Sequence, residues 1–406
     1  MARFFLEKIF PDGVVPRDVK FLTWATTVRF MGWSFVESLI PVFLFSFARN
    51  YAETGLLRSI FDIVYILAVP FVGILADKIS TRTILIIGIL FYPFVGFFYF
   101  WAGVTGVALF IVAARFFNGI GFAFDSIGRS TYFRKHVNKP VISTAFGYFD
   151  SVTNFFWVLG VLFSLILIKI FPVHALFLAI IPTSLIALVM FFYLKKDGGK
   201  NIKDGVAGIF KDGIFYSMWN EMRGWNKNLR LISFVTFYLG FIGVVNNFII
   251  PIDVYKNGGN YQQIILIGAV LALPYIFGFY LGEIADEKRK ISVLTGIAFI
   301  SLFFLLLAFT ENYALKLIFV FGLSLAFDLI ILAFAGITTQ SVSEEHYGRL
   351  SSILADSGSL GALFGPIVLG ILADILGLRS TFIIFSLINI VIFILLLVQL
   401  KNFSQK

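Results

Sequence analysis

The chain of 406 residues carries 32 basic and 23 acidic residues, and 59% of its residues are hydrophobic. A mean hydropathy of +0.94 excludes a water-soluble globular protein, because no soluble fold has enough interior for so much apolar surface. Because the chain has no cysteine, disulfides, thiolate metal sites and thiol catalysis are also excluded.

The apolar residues form runs of the length that a membrane helix needs, about 20 residues for a hydrocarbon core of roughly 30 Å. The first run is too long and too polar for a removable signal peptide, so we expect it to remain as the first span. About twelve runs are predicted, at 20–48, 56–76, 83–102, 106–131, 141–168, 173–194, 230–252, 261–284, 291–310, 313–340, 350–374 and 379–400. The predicted fold class is an all-α integral membrane protein with twelve transmembrane helices.

The basic residues lie mostly on one predicted side of the membrane. If both termini are cytoplasmic, 24 of the 32 basic residues fall in cytoplasmic segments, six fall outside, and Arg29 and Arg115 fall inside spans. This positive-inside distribution is typical of a cell (inner or plasma) membrane protein. The charge is therefore assigned to topology and to contact with anionic membrane lipids, and nucleic acid is not an expected partner.

The longest polar stretch divides the predicted spans six and six. It predicts an N-terminal six-helix bundle at 1–194, a cytoplasmic linker at 195–229 and a C-terminal six-helix bundle at 230–406. One loop motif occurs once in each half, at 73–82 and 282–290, with its copies 209 positions apart. Weaker matches pair Asp125 with Asp328 and Asp150 with Asp356 at similar offsets. Such repeats, equal in span number and orientation, predict two halves related by an axis normal to the membrane.

At these motifs the chain resembles the major facilitator superfamily over essentially its whole length. Its fourth span also contains an Arg-x-x-polar-Gly-x-Gly pattern at 115–121, and its eleventh span contains Gly365-Pro366. The loop pattern is carried by Gly73, Leu75, Ala76, Asp77, Lys78 and Arg82, and in degenerate form by Gly282, Ala285, Asp286 and Arg289. The resemblance implies two pseudo-symmetric six-helix bundles around a central cavity, and transport by alternating access.

The fifth span departs from the pattern of proton-coupled exporters in the family. Those exporters usually carry a Gly-Pro pattern in this span, whereas the segment from Gly147 to Gly160 contains no proline. This departure reduces the weight of a drug-antiporter interpretation.

Intramembrane charges are the main functional candidates, because each costs about 2.5–3.5 kcal/mol on insertion scales unless it is paired or hydrated. Glu37 and Arg115 are predicted to lie at similar depth, near the middle of the membrane. In the resembled family the first, fourth, seventh and tenth helices line the cavity, which would expose this pair to substrate. Glu37 would then be the proton-binding carboxylate. The alternative is a static ion pair that joins two helices.

Further intramembrane candidates are less specific. Arg29 and Asp150 are predicted to pair at equal depth, in a structural or cavity-lining role. Asp356 has no evident basic partner and is a candidate proton site. Asn118, Asn246, Asn247 and Trp33 are candidates for lining the cavity. The asparagines could instead hold helices together.

A third group of residues is predicted at the cytoplasmic ends of helices and is interpreted as a gate. In the resembled family, the loop acid and bases contact neighbouring helix ends, and breaking such contacts together would open the cytoplasmic side. The alternative is that the basic loops only set topology. The gate candidates are Gly73, Asp77, Lys78, Arg82, Asp125, Arg129, Asp286, Arg289 and Asp328.

An enzyme is disfavoured, because His136, His174 and His346 lack metal-ligand spacing and no catalytic or nucleotide motif occurs. No cofactor or metal is expected. We therefore expect a monomeric secondary transporter that moves a small organic solute with coupling to protons. Export of lipophilic or amphiphilic compounds is slightly favoured. The alternatives are uptake or uniport of a polar metabolite and a non-transporting receptor.

Overall fold

The computed structural model describes residues 15–47, 51–199, 223–225, 227–244, 250, 254, 261–340 and 344–399. The regular elements of these residues are helices. In chain order they are α1 (Arg17–Ser34), α2 (Ile40–Phe45), α3 (Tyr51–Lys78), α4 (Thr81–Ile89), α5 (Tyr92–Thr105), α6 (Ala108–His136), α7 (Ile142–Leu167), α8 (Val173–Leu176), α9 (Ile180–Phe191), α10 (Lys227–Val244), α11 (Tyr261–Ala272), α12 (Gly278–Glu287), α13 (Arg289–Ala308), α14 (Tyr313–Gln340) and α15 (Tyr347–Gln399).

Several of the twelve predicted spans are built from two shorter helices. In the first span, α1 and α2 are joined through a 3₁₀ turn at Glu37–Leu39. In the eighth, α11 and α12 are joined through a 3₁₀ turn at Pro274–Phe277. Conversely, α15 contains the last two spans. They are divided at Gly377, whose φ of 78° and ψ of 158° interrupt the helix and are open mainly to glycine.

Nine segments among the described residues are long and apolar enough to cross a membrane. The first, seventh and eleventh predicted spans are not among them. The first is divided at Glu37, and the apolar part described for the seventh is the shorter helix Leu229–Gly243.

Each half of the molecule has its own packed interior. Leu22, Tyr92 and Phe177 belong to the interior of the first half, and Ile297 and Phe304 to that of the second. A third apolar cluster crosses between the halves and brings Leu75 of α3 together with Leu350 and Ile353 of α15. Since lipid is as apolar as these side chains, close packing holds the bundles together rather than exclusion from water.

The two halves approach closely where α7 meets α12. A Cβ atom on Gly147 would collide with the carbonyl oxygen of Gly278, and one on Gly282 would lie 2.6 Å from the carbonyl oxygen of Ser143. The backbones therefore touch because these positions have no side chain. This contact lies toward the end of the bundle where α3 connects to α4 and α12 to α13, hereafter the loop end.

Candidate functional site: the central cavity and its loop-end gate

A cavity of about 1390 Å³ lies between the two halves. Its wall combines aromatic side chains with charged ones. The aromatic lining includes Phe30, Trp33, Phe61, Phe122, Phe149, Trp157 and Tyr275. A space of this size, with apolar walls and a few polar groups, is typical of a small-molecule site.

The part of the cavity far from the loop end contains two acids and two bases. Glu37 and Arg115 both line it, and they interact electrostatically. The Glu37 side chain is exposed to the cavity. Arg115 is anchored behind it, because its Nη2 donates to the carbonyl of Arg58 at 3.0 Å. Arg58 and Asp62, four residues apart on α3, line the same region.

The predicted pairing of Arg29 with Asp150 is wrong. Arg29 Nη2 donates instead to Asp125 Oδ2 at 2.8 Å, and Arg129 Nη1 lies 3.4 Å from the same oxygen. Depth along the membrane, which the sequence supplies, does not tell which helix face a residue occupies. Both Asp125 on α6 and Asp150 on α7 lie near the depth of Arg29, but the face of α6 presents its acid to α1.

Two of the predicted gate acids lie inside helices rather than at helix ends. Asp125 is within α6, which continues to His136, and Asp328 is within α14, which continues to Gln340. Both side chains are buried, with exposures of 1% and 0%. Asp328 lies beside Asp150 of the other half, and the two interact electrostatically. These acids therefore belong to the interior around the cavity.

The loop acid of the first half reaches the second half. Asp77 Oδ1 accepts a hydrogen bond from the backbone N–H of Gly348 at 2.7 Å, and Oδ2 accepts one from Arg349 N–H at 3.2 Å. Arg349 Nε lies 3.4 Å from the same carboxylate. Gly73 allows the close approach, because a Cβ there would lie 2.5 Å from the Ser352 side chain. Asp77 thus caps the N-terminus of α15, where a negative charge is stabilising.

The loop acid of the second half makes the equivalent contact to the first half. Asp286 Oδ2 accepts hydrogen bonds from Thr144 N–H at 2.8 Å and Thr144 Oγ1 at 2.7 Å, at the N-terminus of α7. Arg289 Nη2 donates to Asp286 Oδ1 at 2.9 Å and to the Pro140 carbonyl at 3.2 Å. A further bond from Arg134 Nη1 to Ser351 Oγ, 2.7 Å long, crosses between the halves. Together these bonds close the loop end.

The remaining candidates occupy separate places. Asn118 and Trp33 line the cavity, and Trp33 packs edge-on against Tyr92 with 6.0 Å between ring centroids. Asp356 lies half-buried within α15 and outside the cavity lining. Lys78 and Arg82 lie at the loop end, in the last turn of α3 and the first turn of α4. Asn246 and Asn247 fall outside the described residues.

Asp197 was not predicted from the sequence. It follows the sixth span and caps α4, accepting from Thr81 N–H at 2.8 Å and from Ser80 Oγ at 2.6 Å, while Lys135 Nζ lies 3.2 Å away. Burial raises the pKa of its carboxyl, but the hydrogen bonds and Lys135 outweigh burial, so the pKa lies below its usual value. The only feature of the Lys195–Asp197 stretch visible in the sequence is its charge. Asp197 caps a helix that begins 116 residues earlier in the chain, and such a contact leaves no local sequence pattern.

Comparison with known proteins identifies the family. The sequence profile of the Major Facilitator Superfamily matches residues 22–355 and 232–405. An uncharacterized MFS-type transporter of Methanocaldococcus jannaschii is 21% identical over 400 residues, covering 96% of this chain and 100% of that protein. The multidrug resistance protein MdtG of a Rahnella strain is 32% identical over 140 residues, 33% of this chain and 34% of that protein.

Solved structures show the same twelve-helix fold. The MFS transporter FucP in its outward conformation aligns with a TM-score of 0.71 at 15% identity, covering 96% of this chain and 99% of that one. Another FucP structure is described as the Escherichia coli fucose:proton symporter. The resemblance and the fold class predicted from the sequence are confirmed. The chain therefore belongs to the Major Facilitator Superfamily, as a multipass membrane transporter and not an enzyme.

Proposed function

We propose that this protein is a secondary active transporter that moves a small organic solute by alternating access, with coupling to protons. The observation that carries this proposal is the cavity of about 1390 Å³ between two halves that are latched together at the loop end. A cavity closed at one end by contacts that can break together is what alternating access requires.

Export of lipophilic or amphiphilic compounds fits the aromatic wall of the cavity, which includes Phe30, Phe149 and Trp157. The partial similarity to MdtG, a multidrug resistance protein, agrees with this direction. Uptake or uniport of a polar metabolite is the second candidate. It is favoured by the group of four charged side chains to which Glu37 belongs and by the fold shared with a fucose:proton symporter. Binding without flux would instead indicate a receptor.

For proton coupling we propose the Glu37–Arg115 pair. Glu37 is exposed to the cavity, so substrate can approach it. Arg115 and Arg58 interact electrostatically with the Glu37 carboxylate, and a bound substrate would compete with them for this interaction. Asn118 and Trp33 would contact the solute in the same cavity, and Asp356 would serve as a second candidate acid. The static alternative assigns Glu37 and Arg115 only to holding helices together.

The topology also belongs to the proposal. We place the protein as a monomer in the cell membrane with cytoplasmic termini, so that the loop end faces the cytoplasm. The first bundle would cover 1–194, the linker 195–229 and the second bundle 230–406. The positive-inside distribution of Lys and Arg supports this orientation.

The test is substrate-driven proton movement into dye-loaded proteoliposomes, measured for lipophilic cations, sugars, organic acids and peptides. The wild type should move protons with at least one class. Glu37→Gln should lose this proton flux while keeping exchange of the same solute, because only the ionisable group is removed. The control Glu311→Gln removes an exposed acid from the loop between α13 and α14 and should behave as wild type. Binding with no flux for every class would contradict transport.

A further inference from the structure

Asp150 and Asp328 bring one carboxyl from each half of the transporter to the same point. Both adjoin Gly278 of α12: a methyl group at this glycine would lie 3.1 Å from Asp150 Cβ and 3.4 Å from Asp328 Oδ2. Asp150 faces the cavity, and Asp328 lies behind it with no exposed surface. The pair therefore sits where α7, α12 and α14 meet, beside the backbone contact between the halves.

The charged groups of the first half that adjoin Asp150 already balance without Asp328. Arg29 and Arg129 both bind Asp125, and Arg129 also interacts with Asp150, which gives two bases for two acids. Asp328, from the second half, is a third acid beside this set. In the described part of the chain, neither of its carboxylate oxygens has a hydrogen-bond partner.

A carboxylate in such a place is strongly disfavoured. Burial without partners removes its hydration, and the neighbouring Asp150 adds repulsion between like charges. Tyr275, in the 3₁₀ turn that precedes α12, interacts with both acids, but its hydroxyl brings no positive charge. A bound proton removes both penalties, because a neutral carboxylic acid tolerates the apolar interior and no longer repels Asp150.

We propose that Asp150 and Asp328 form a proton-binding pair that latches the loop end: Asp328 holds a proton while the halves are closed and releases it to water when they part. This deepens the proposed proton coupling and rests on it for its role in transport. Release requires α7 to separate from α12 and α14, since Asp328 has no exposed surface in the closed state. Closure should therefore be favoured at acidic pH and opening at alkaline pH.

The test measures the distance between two spin labels across the loop end as pH is varied. The chain has no cysteine, so labels at Asn138→Cys and Glu345→Cys, both exposed and in different halves, are unique. In lipid nanodiscs, the otherwise wild-type protein should show a short distance at acidic pH and a longer one at alkaline pH. Asp328→Asn, which mimics the protonated acid, should keep the short distance at every pH.

A second variant and a control make the result decisive. Asp150→Asn removes the like charge that favours a proton on Asp328 and should weaken the pH response, so it carries the test even if Asp328→Asn does not fold. Asp18→Asn, in the first turn of α1, should respond as the wild type does. A wild type insensitive to pH, or a full response in either latch variant, would overturn the proposal.

The failure of this proposal can be told apart from the failure of proton-coupled transport. If no solute drives proton flux in proteoliposomes but Asp328→Asn abolishes the pH-dependent movement, the latch stands and the transport proposal fails. If proton flux occurs and the movement persists in Asp328→Asn, the latch alone fails.

Discussion

Asp77 and Asp286 make reciprocal contacts across the molecule: each caps a helix that belongs to the opposite half. Asp77 accepts hydrogen bonds from the backbone N–H groups of Gly348 and Arg349 at the start of α15. Asp286 accepts them from the N–H groups of Ser143 and Thr144 at the start of α7. The repeated loop motif thus becomes a repeated structural contact. Because both caps exist only while the loop end is closed, they stabilise this state specifically.

Replacing Asp77 by asparagine should shift the transporter away from the closed loop end. The variant loses the negative charge at the N-terminus of α15, an effect of about 1 kcal/mol, or roughly fivefold in the ratio of closed to open states. We expect slower turnover with little change in solute affinity, because the cavity lining is untouched. Initial transport rates and equilibrium binding, measured on the same proteoliposomes, provide the check. Unchanged turnover would argue that the loop only sets topology.

Removing both caps should have a nearly additive effect. Asp77 and Asp286 contact different helices and share no hydrogen-bond partner, so the double variant Asp77→Asn/Asp286→Asn should lose about the sum of the two single effects. The spin-label distance across the loop end reports the fraction of open molecules in each variant. A double variant no more open than either single one would show that one cap alone holds the gate.

The glycine contact between α7 and α12 predicts a steric effect on closure. Gly147→Ala would place a methyl group on the carbonyl oxygen of Gly278, so the closed state becomes inaccessible without separating the helices. We expect the loop end to open and transport to fall by an order of magnitude or more. Gly198→Ala is the matched control, since nothing lies within 4 Å of its added Cβ. Normal closure in Gly147→Ala would mean that the two backbones can separate at little cost.

Asp197 predicts a pH-dependent contribution to the stability of the first half. Its pKa is depressed in the folded protein, so its contribution is fully present above the ordinary carboxyl value of 3.8 and is lost as pH falls below it. Asp197→Ala should lower stability by about 1 kcal/mol at neutral pH, the usual cost of replacing a helix-capping residue by alanine. Thermal unfolding in detergent at neutral and acidic pH measures this, with the exposed Glu311→Gln as control. A wild-type melting temperature in Asp197→Ala at neutral pH would contradict the cap.

Two helices of the second half show how well the apolar runs in the sequence predict helix bounds. The runs predicted at 291–310 and 313–340 correspond to Arg289–Ala308 and Tyr313–Gln340. Agreement is close because membrane thickness fixes the length of an apolar helix. The loop motif likewise located Asp77 and Asp286 at the loop end, since the residues of the motif adjoin each other in the chain. Their partners Gly348 and Thr144 lie in the opposite half and are not part of the motif.

Pairings between distant residues were predictable only in part. Glu37 and Arg115 do line one cavity, since their depth and cavity-facing helices were both available. Arg29 was assigned the wrong acid, because counting residues gives a level in the membrane but not a direction around the helix axis. The meeting of Asp150 with Asp328 depends on how one half packs on the other, which no local pattern records.

The side from which the cavity can be reached tests alternating access most directly. The cysteine-free chain permits a single reporter, Asn154→Cys, at a position that lines the cavity. A membrane-impermeant maleimide should label it from the side opposite the loop end in the wild-type background, and from the loop-end side after Asp77→Asn/Asp286→Asn. Labelling from the same side in both proteins would contradict a transporter that alternates by opening this gate.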